Sequence, residues 1–424
     1  MEANDPGALT AQAIERHGSP TALIDQARGV FGDTVDLRRN LHQHPELGND
    51  LPVTREIILE ALADLPLDIT LHKTTSGIVA TLEGGKPGDT VLLRGDMDAL
   101  PLHEGTGLEF VSKDEGKMHA CGHDTHVSML VGAARMLCDR RSEIPGRVMF
   151  MFQPGEEGFG GAQFMIDEGM LADDMRKDGS KSPVTGAYAL HITSSMPTGW
   201  FATKQGPIMA SSDDIHIKVI GRGGHGSEPF RALDPIPIAC EIVQAFQTMV
   251  TRNINPFDPT VVSVCAIKAG TASNVIPEYA EIDGTIRAIS EATRNKVHDL
   301  IKQVAEGVAA AHGADVQVNL RRDYPVTVND ANKSDFMFDV ASAINGADNV
   351  LRLPNPVMGA EDFSFVLKKL PGAMMFLGAT PRDKDFTKAA PNHSNLVYFE
   401  EEAMINGMAV YAGAALRHLG VPLS

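Results

Sequence analysis

The sequence predicts an α/β protein: a mostly parallel sheet with helices on both faces, carrying a smaller inserted α+β domain. Apolar strand-like segments alternate with helix-like segments up to about residue 205, which is typical of a parallel sheet covered on both faces. Between residues 209 and 323 the order changes to βαββαβ, which is typical of a compact α+β unit. Segments of the earlier kind return in "GAMMFLGAT" and in the last helix.

The chain has 424 residues, which is too long for one ordinary hydrophobic core. We therefore predict two domains. Residues 1–208 and 324–424 form the first, discontinuous domain, and residues 209–323 form the inserted one.

The first domain is predicted from three apolar strands and a helix. The strands are "TVLLRGDMDALP", "RVMFMFQPGEEG" and "AYALHI". The helix between the first two has one apolar face, made of Val127, Leu130, Val131, Ala134 and Leu137. This i, i+3, i+4 spacing indicates a buried helix face, and we expect Asp124 or Thr125 to cap the start of the helix.

The inserted domain is predicted from its change of periodicity. "SSDDIHIKVIG" alternates with period two, and a helix follows over about residues 235–252. The next strands are "TVVSVCAIKAG" and "YAEIDGTIRAI", joined through "TASNVIPE". A second helix over about residues 291–312 and the strand "ADVQVNL" complete a ferredoxin-like βαββαβ order.

Composition excludes several classes of partner. The chain has 55 acidic and 37 basic residues, a net charge of −18, which disfavours binding to nucleic acid and to anionic membranes. No segment reaches the roughly 18 apolar residues of a membrane helix, and residues 1–20 show no signal-peptide pattern. The four cysteines are far apart and show no CxxC spacing, so we expect a cytoplasmic protein with reduced thiols.

Polar residues gather where the predicted strands end. Ligands in α/β sheets collect at the carboxyl ends of the strands. The residues in such positions are Asp96, Asp98, Cys121, His123, Glu156, Glu157, His191 and His393. Thiolate, imidazole and carboxylate donors suit Zn²⁺, Mn²⁺, Co²⁺ or Ni²⁺, and two adjacent glutamates can divide the work of metal ligand and general base. Spacing alone leaves ordinary packing and turn roles open for each of these residues.

Eight motifs then carry a resemblance. They are "RGDMDALP", "MHACGHDTH", "FQPGEEGFGGA", "GRGGHGSEP", "GTASNVIPE", "GTIRA", "GAEDFS" and "NHSN". With these motifs in this order, the chain resembles the M20 metallopeptidase family. Within that family it resembles the amidohydrolase branch, which includes hippurate hydrolases, aminoacylases and indole-acetyl-amino-acid hydrolases. The resemblance extends from "RRNLHQHPEL" to "HSNLVYFEE", which is almost the entire chain.

The resemblance implies a site for two divalent metal ions in the first domain, with Mn²⁺ or Zn²⁺ expected first and Co²⁺ or Ni²⁺ also suitable. The implied ligands are Cys121, His123, Glu157, His191 and His393, with the Cys121 thiolate touching both ions. Glu156 matches the general base. Asp98 is expected to orient His123 by accepting its second ring N–H, whereas packing, capping or support of the ligands is expected of His119 and His126.

The resemblance also makes the inserted domain a lid and dimerisation domain, and implies a homodimer or homotetramer. His225 is expected to reach the active site of a partner subunit and to donate to the oxyanion. Asn274 and Arg287 are expected to hold the free carboxylate of the substrate, for which a guanidinium is suited. Phe230 departs from the family pattern, where a polar residue is common, and is expected to alter the lid pocket.

The implied reaction is hydrolysis of the amide bond of N-acyl-L-amino acids, with Glu156 as the base. Cleavage of dipeptides or of carboxy-terminal residues of short peptides by the same chemistry is the alternative. Two alternative functions belong to other classes. One is a metal-free cysteine hydrolase that uses Cys121 as nucleophile, and the other is a binding protein without catalysis.

Overall fold

The structure is a computed structural model that describes residues 22–423. The prediction about a signal peptide in residues 1–20 lies outside this range. The α-helices are α1 (Ala22–Gly29), α2 (Phe31–Gln43), α3 (Pro52–Leu62), α4 (His123–Asp139), α5 (Gly161–Asp167), α6 (Pro235–Asn253), α7 (Glu291–Ala311), α8 (Ala331–Asn345), α9 (Ser364–Leu367) and α10 (Ala403–His418). Short 3-10 helices cover Pro229–Arg231 and Ala347–Asn349.

The strands are β1 (Asp68–Leu71), β2 (Ile78–Glu83), β3 (Lys86–Asp96), β4 (Pro145–Gln153), β5 (Val184–Pro197), β6 (Phe201–Thr203), β7 (Gly206–Met209), β8 (Asp213–Ile220), β9 (Gly224–His225), β10 (Thr260–Ala269), β11 (Val275–Ile276), β12 (Tyr279–Ala288), β13 (Asp315–Arg322), β14 (Thr327–Asn329), β15 (Val350–Arg352) and β16 (Gly372–Thr380). The chain divides into two compact units. The first contains the described residues up to Gly206, Val328–Pro354 and the chain from Phe365 onward; the second contains Pro207–Thr327 and Asn355–Ser364.

The first unit is built on an eight-stranded sheet in the order β1-β2-β4-β3-β5-β16-β6-β15. Its central strands β4, β3, β5 and β16 run parallel, and antiparallel pairs join β1 to β2, β2 to β4 and β16 to β6. Every residue of β16 is buried. Since successive side chains of a strand point to opposite faces, the sheet is covered on both faces at this strand. The predicted fold class is confirmed.

The carboxyl ends of the parallel strands define one edge of this sheet. There β3 ends at Asp96, β4 at Gln153 and β16 at Thr380. The prediction that β5 ends near His191 is wrong, because β5 keeps pairing with β16 and continues to Pro197. His191 therefore lies within a strand, beyond the last β5 residue that pairs with β3.

Helix α4 begins at the same edge and packs against α2 and α10. The prediction that Asp124 or Thr125 caps it is wrong. The residue before the helix is Gly122, which has φ 86° and provides no side-chain cap. Asp124 and Thr125 lie inside the first turn, where the Thr125 hydroxyl donates to the Gly122 carbonyl and the Asp124 carboxylate contacts Arg38 at 2.9 Å and His42 at 2.8 Å.

The second unit has the predicted βαββαβ order. Its sheet runs β10-β12-β8-β13 with every pair antiparallel, and α6 and α7 pack against it. Strand β8 alternates between buried and more exposed residues, as expected for a sheet with one covered face. Asp234 caps α6 and Ser290 caps α7 through their side-chain oxygens, which fits the preference for these residues at helix starts.

Among residues 22–423, no helix is both long and apolar enough to cross a membrane.

Candidate metal centre

Five predicted ligands come together in the first unit. Cys121 and His123 lie at the start of α4, and His191 lies on β5. Glu157 follows β4 and His393 follows β16, each in a loop. Four separated parts of the chain therefore supply the donors, as the family resemblance implied.

The distances between these donors suit metal coordination. The Cys121 sulfur lies 3.2 Å from Nε2 of His393 and 3.5 Å from Nε2 of His191. Oε1 of Glu157 lies 3.5 Å from Nε2 of His393 and 3.8 Å from Nε2 of His123. Tetrahedral coordination with bonds of about 2.0–2.3 Å places neighbouring donors roughly 3.3–3.8 Å apart. The donors are therefore spaced as ligands of shared cations.

Two of these donor atoms lack a hydrogen-bond partner. Among the described residues, none satisfies Nε2 of His123 or Oε1 of Glu157, although both atoms are buried. Leaving a buried polar atom unpaired costs about 1–3 kcal/mol. Since both atoms are lone-pair donors that face each other, divalent cations fit the residues present.

Backbone carbonyls set the ring orientation of two histidines. Nδ1 of His123 lies 2.9 Å from the carbonyl oxygen of Asp98, and Nδ1 of His191 lies 2.8 Å from the carbonyl oxygen of Ile192. A carbonyl only accepts, so in each ring Nδ1 carries the proton and donates. The Nε2 lone pairs are therefore available for a metal, as in other metal-binding histidines.

Asp98 contacts His123 and the glutamate loop through different groups. Its backbone carbonyl oxygen accepts the Nδ1–H of His123 at 2.9 Å, while Oδ1 of its carboxylate lies 3.6 Å from Nδ1. The two carboxylate oxygens accept the backbone N–H groups of Glu156 and Glu157, each at 2.9 Å. Asp98 thus fixes the loop that carries both glutamates as well as the ring of His123.

His126 lies beside the centre but has no nitrogen left for a metal. Its Nδ1 is 2.5 Å from Oδ1 of Asp96, and its Nε2 accepts the backbone N–H of Ile192 at 2.7 Å. His119 is buried as well, and burial lowers its pKa to about 3, so its ring is neutral. The expectation that these two histidines support or pack, rather than bind metal, agrees with this geometry.

Burial disfavours the charged forms of two of the proposed ligands. Burial raises the pKa of the Cys121 thiol well above its usual range, and Glu157 adds to this rise. Burial raises the pKa of Glu157 to about 7, against the influence of His123. A divalent cation favours the deprotonated thiolate and carboxylate, which are the forms that bind metal.

Gly122 separates the predicted ligands Cys121 and His123. Its φ of 86° lies in the left-handed region, which costs an L-residue with a side chain roughly 1–2 kcal/mol. A Cβ atom at this position would also lie 2.4 Å from Cγ2 of Ile192 and 3.0 Å from the Phe399 ring. Only glycine fits between the two ligands.

His393 is the only non-glycine with positive φ among the described residues, with φ 68°. Its backbone N–H donates to the Ala120 carbonyl at 2.9 Å, and its side chain is 55% exposed. Strained backbone of this kind clusters at functional sites, and here it accompanies the contact of Nε2 with Cys121.

The predicted lid residues belong to the second unit. His225 is exposed on β9, and its Nδ1 accepts from the Ser227 hydroxyl at 2.7 Å, which leaves Nε2 free of this bond. The carbonyl of exposed Asn274 accepts from the N–H of Gly226 at 2.8 Å, so His225 and Asn274 lie near each other. Arg287 on β12 donates to the Thr285 hydroxyl at 2.8 Å. Their roles stay predictions.

Sequence reasoning gave no role to Arg38, His42 or Asn392. Arg38 and Asp124 form an ion pair that is almost completely buried, and Asp124 directly follows the predicted ligand His123 in the sequence. The signal was present, since Arg38 and His42 stand in "RRNLHQHPEL" and Asn392 stands in "NHSN". Only the folded chain shows which groups their side chains meet.

Comparison with known proteins places the chain in a family. The family model described as Peptidase family M20/M25/M40 matches residues 92–417, and the chain belongs to this family. Peptidases hydrolyse amide bonds, so the prediction of a metal-dependent amidohydrolase is confirmed at family level.

Two curated relatives and one solved structure illustrate the similarity. Thermostable carboxypeptidase 1 of Saccharolobus solfataricus is 39% identical over 93% of this chain and 98% of its own. Hippurate hydrolase of Campylobacter jejuni is 35% identical over 94% of this chain and 99% of its own. The crystal structure of a dinuclear metal-binding M20 peptidase from Bacillus subtilis matches with a TM-score of 0.78 and 30% identity, over 93% of this chain and 100% of that one.

Gly122→Ala is expected to lower the free energy of unfolding by about 2–4 kcal/mol, since it adds a clash with Ile192 to the backbone cost. Gly116→Ala is the matched control, because Gly116 has φ 77° and meets no described atom within 4 Å of an added Cβ. The control should lose only about 1–2 kcal/mol. Urea unfolding of the metal-free proteins measures both, and equal losses would show that the Ile192 contact has no effect.

Proposed function

We propose that the protein hydrolyses the amide bond of N-acyl-L-amino acids at a site for two divalent metal ions. Cys121, His123, Glu157, His191 and His393 would hold the ions, with Mn²⁺ or Zn²⁺ as the first candidates. The observation that carries this proposal is the buried, unpartnered pair of donor atoms on His123 and Glu157, beside a thiol and two further imidazoles. When bound, the ions would polarise the amide carbonyl and lower the pKa of water from about 15.7 towards ~7.

Glu156 is the proposed general base. Its side chain is buried, and its Oε2 lies 4.0 Å from Nε2 of His123. Glu156 therefore lies next to the proposed ligands, while Glu157 is the glutamate proposed to bind metal. The Asp98 carboxylate accepts a hydrogen bond from the backbone N–H of Glu156 at 2.9 Å, which limits movement of this loop. Glu156 accepts a proton from the attacking water on its carboxylate and then returns it to the leaving nitrogen.

The proposed substrate carries a free carboxylate beside the amide. Arg287 of the second unit suits this group, since a guanidinium binds a carboxylate through two parallel hydrogen bonds, and Asn274 offers an exposed amide. The relative named hippurate hydrolase supports an N-acyl amino acid as substrate. The relative named thermostable carboxypeptidase 1 supports the alternative, in which short peptides are cleaved by the same chemistry.

The metal-free cysteine hydrolase is disfavoured by the surroundings of Cys121. A nucleophilic cysteine reacts as the thiolate, which needs a lowered pKa. Burial and Glu157 instead raise the pKa of the Cys121 thiol. The sulfur is thus poorly suited to nucleophilic attack without a cation. The homodimer or homotetramer, the cytoplasmic location and the effect of Phe230 stay predictions.

Glu156→Gln is expected to keep the metal content and to lower kcat about 10²–10⁴-fold, because the amide cannot take up the proton. Glu157→Gln is the matched control in the same loop, and it should lose bound metal because a ligand is removed. Elemental analysis and steady-state kinetics on both purified variants measure this. Glu156→Gln activity within tenfold of the unaltered protein would remove Glu156 from the mechanism.

A substrate panel tests the proposed specificity. N-benzoyl and N-acetyl amino acids are expected to give higher kcat/KM values than dipeptides or short peptides of matched side chains. Converting the substrate's carboxylate to a carboxamide should lower kcat/KM, since the bidentate contact with Arg287 is lost. Faster turnover of the peptides throughout the panel would favour the carboxypeptidase or dipeptidase alternative.

A further inference from the structure

The side chain of Asn392, in the loop that carries His393, forms hydrogen bonds to two other segments that carry proposed ligands. Nδ2 of Asn392 lies 3.3 Å from the carbonyl oxygen of Cys121 and 3.0 Å from the carbonyl oxygen of Ile192. Oδ1 of Asn392 accepts the backbone N–H of Ser194 at 3.1 Å. Because carbonyls only accept and a backbone N–H only donates, these partners fix the orientation of the amide.

Both carbonyl groups that accept from Asn392 belong to a proposed metal ligand or to its neighbour in the chain. Asn392 directly precedes His393, and one of its acceptors is the carbonyl of Cys121 itself. The other acceptor, the Ile192 carbonyl, also receives the Nδ1 proton of His191 at 2.8 Å. Displacing that carbonyl would disturb the bond that leaves Nε2 of His191 free for a metal.

We propose that Asn392 is a positioning residue of the metal centre: its side-chain amide holds the segments that carry Cys121, His191 and His393 in one arrangement. The inference rests on the proposed metal site and deepens it. The proposed ligand His393 depends most on this contact, since its side chain is exposed whereas Cys121 is buried. Outer partners of metal ligands commonly contribute tenfold to 100-fold in metal affinity.

Asn392→Asp tests the proposal without a change of volume. The carboxylate keeps the acceptor for Ser194 but replaces the donor with an oxygen that faces the carbonyls of Cys121 and Ile192. The proposal predicts weaker metal binding. Simple electrostatics predicts the opposite sign, because an added negative charge near cations strengthens their binding.

The experiment uses the purified full chain, stripped of metal and titrated with Co²⁺. Competition with a chelator gives the dissociation constant, and the near-ultraviolet thiolate-to-cobalt charge-transfer band reports whether Cys121 binds the ion. Asn392→Asp is expected to bind Co²⁺ about 10–100-fold more weakly, with a weakened or shifted band. Asn395→Asp is the control: it adds the same charge at an exposed position of the same loop, so it should weaken neither Co²⁺ binding nor the band.

The outcomes separate the two proposals. If the unaltered protein binds Co²⁺ with a thiolate band and Asn392→Asp matches it within about threefold, the role of Asn392 is overturned and the metal site stands. If the unaltered protein binds no Co²⁺, the metal site itself fails and this inference fails with it. Should Asn392→Asp not fold, Asn392→Ala removes the donor without adding charge; it should also weaken both readouts, and unchanged values would overturn the proposal.

Discussion

The structure depends on holding several metal-binding side chains together in the protein interior. Some of their donor atoms have no hydrogen-bond partner among the described residues. Nε2 of His123 and Oε1 of Glu157 are buried without a hydrogen bond among the described residues. Such atoms weaken a fold unless another group compensates for them. A cation that satisfies them stabilises the folded chain, so metal binding and folding are expected to be coupled.

The scaffold meets this constraint with rigid elements and backbone groups. Of the parallel strands, β3, β4 and β16 end at one edge, and α4 starts there on a glycine that no other residue can replace without strain. Carbonyls of Asp98 and Ile192 orient two imidazoles. Because these acceptors belong to the backbone, the ring orientations follow from the fold rather than from additional side chains.

The set of proposed ligands came from the family resemblance. Sequence reasoning predicted the parallel sheet and the βαββαβ unit, because strand and helix periodicity are local properties. It placed the end of β5 too early and misjudged the start of α4, since strand pairing with β16 and the contacts of Asp124 with Arg38 depend on distant parts of the chain. The contacts of the Asp98 carboxylate and of the Asn392 amide also depend on distant parts of the chain. A sequence shows that a carboxylate or an amide is present, but tertiary contacts decide which backbone group it meets.

The most direct measurement is the number of divalent ions that the purified chain binds at equilibrium, determined by dialysis against Zn²⁺ or Mn²⁺ followed by elemental analysis. About two ions per chain are expected, with a clear loss when Cys121 is replaced by serine, since its sulfur lies within 3.5 Å of two imidazole nitrogens. A chain that retains well under one ion, or one whose metal content is unaffected by Cys121→Ser, would show that these side chains do not form a site for two metal ions.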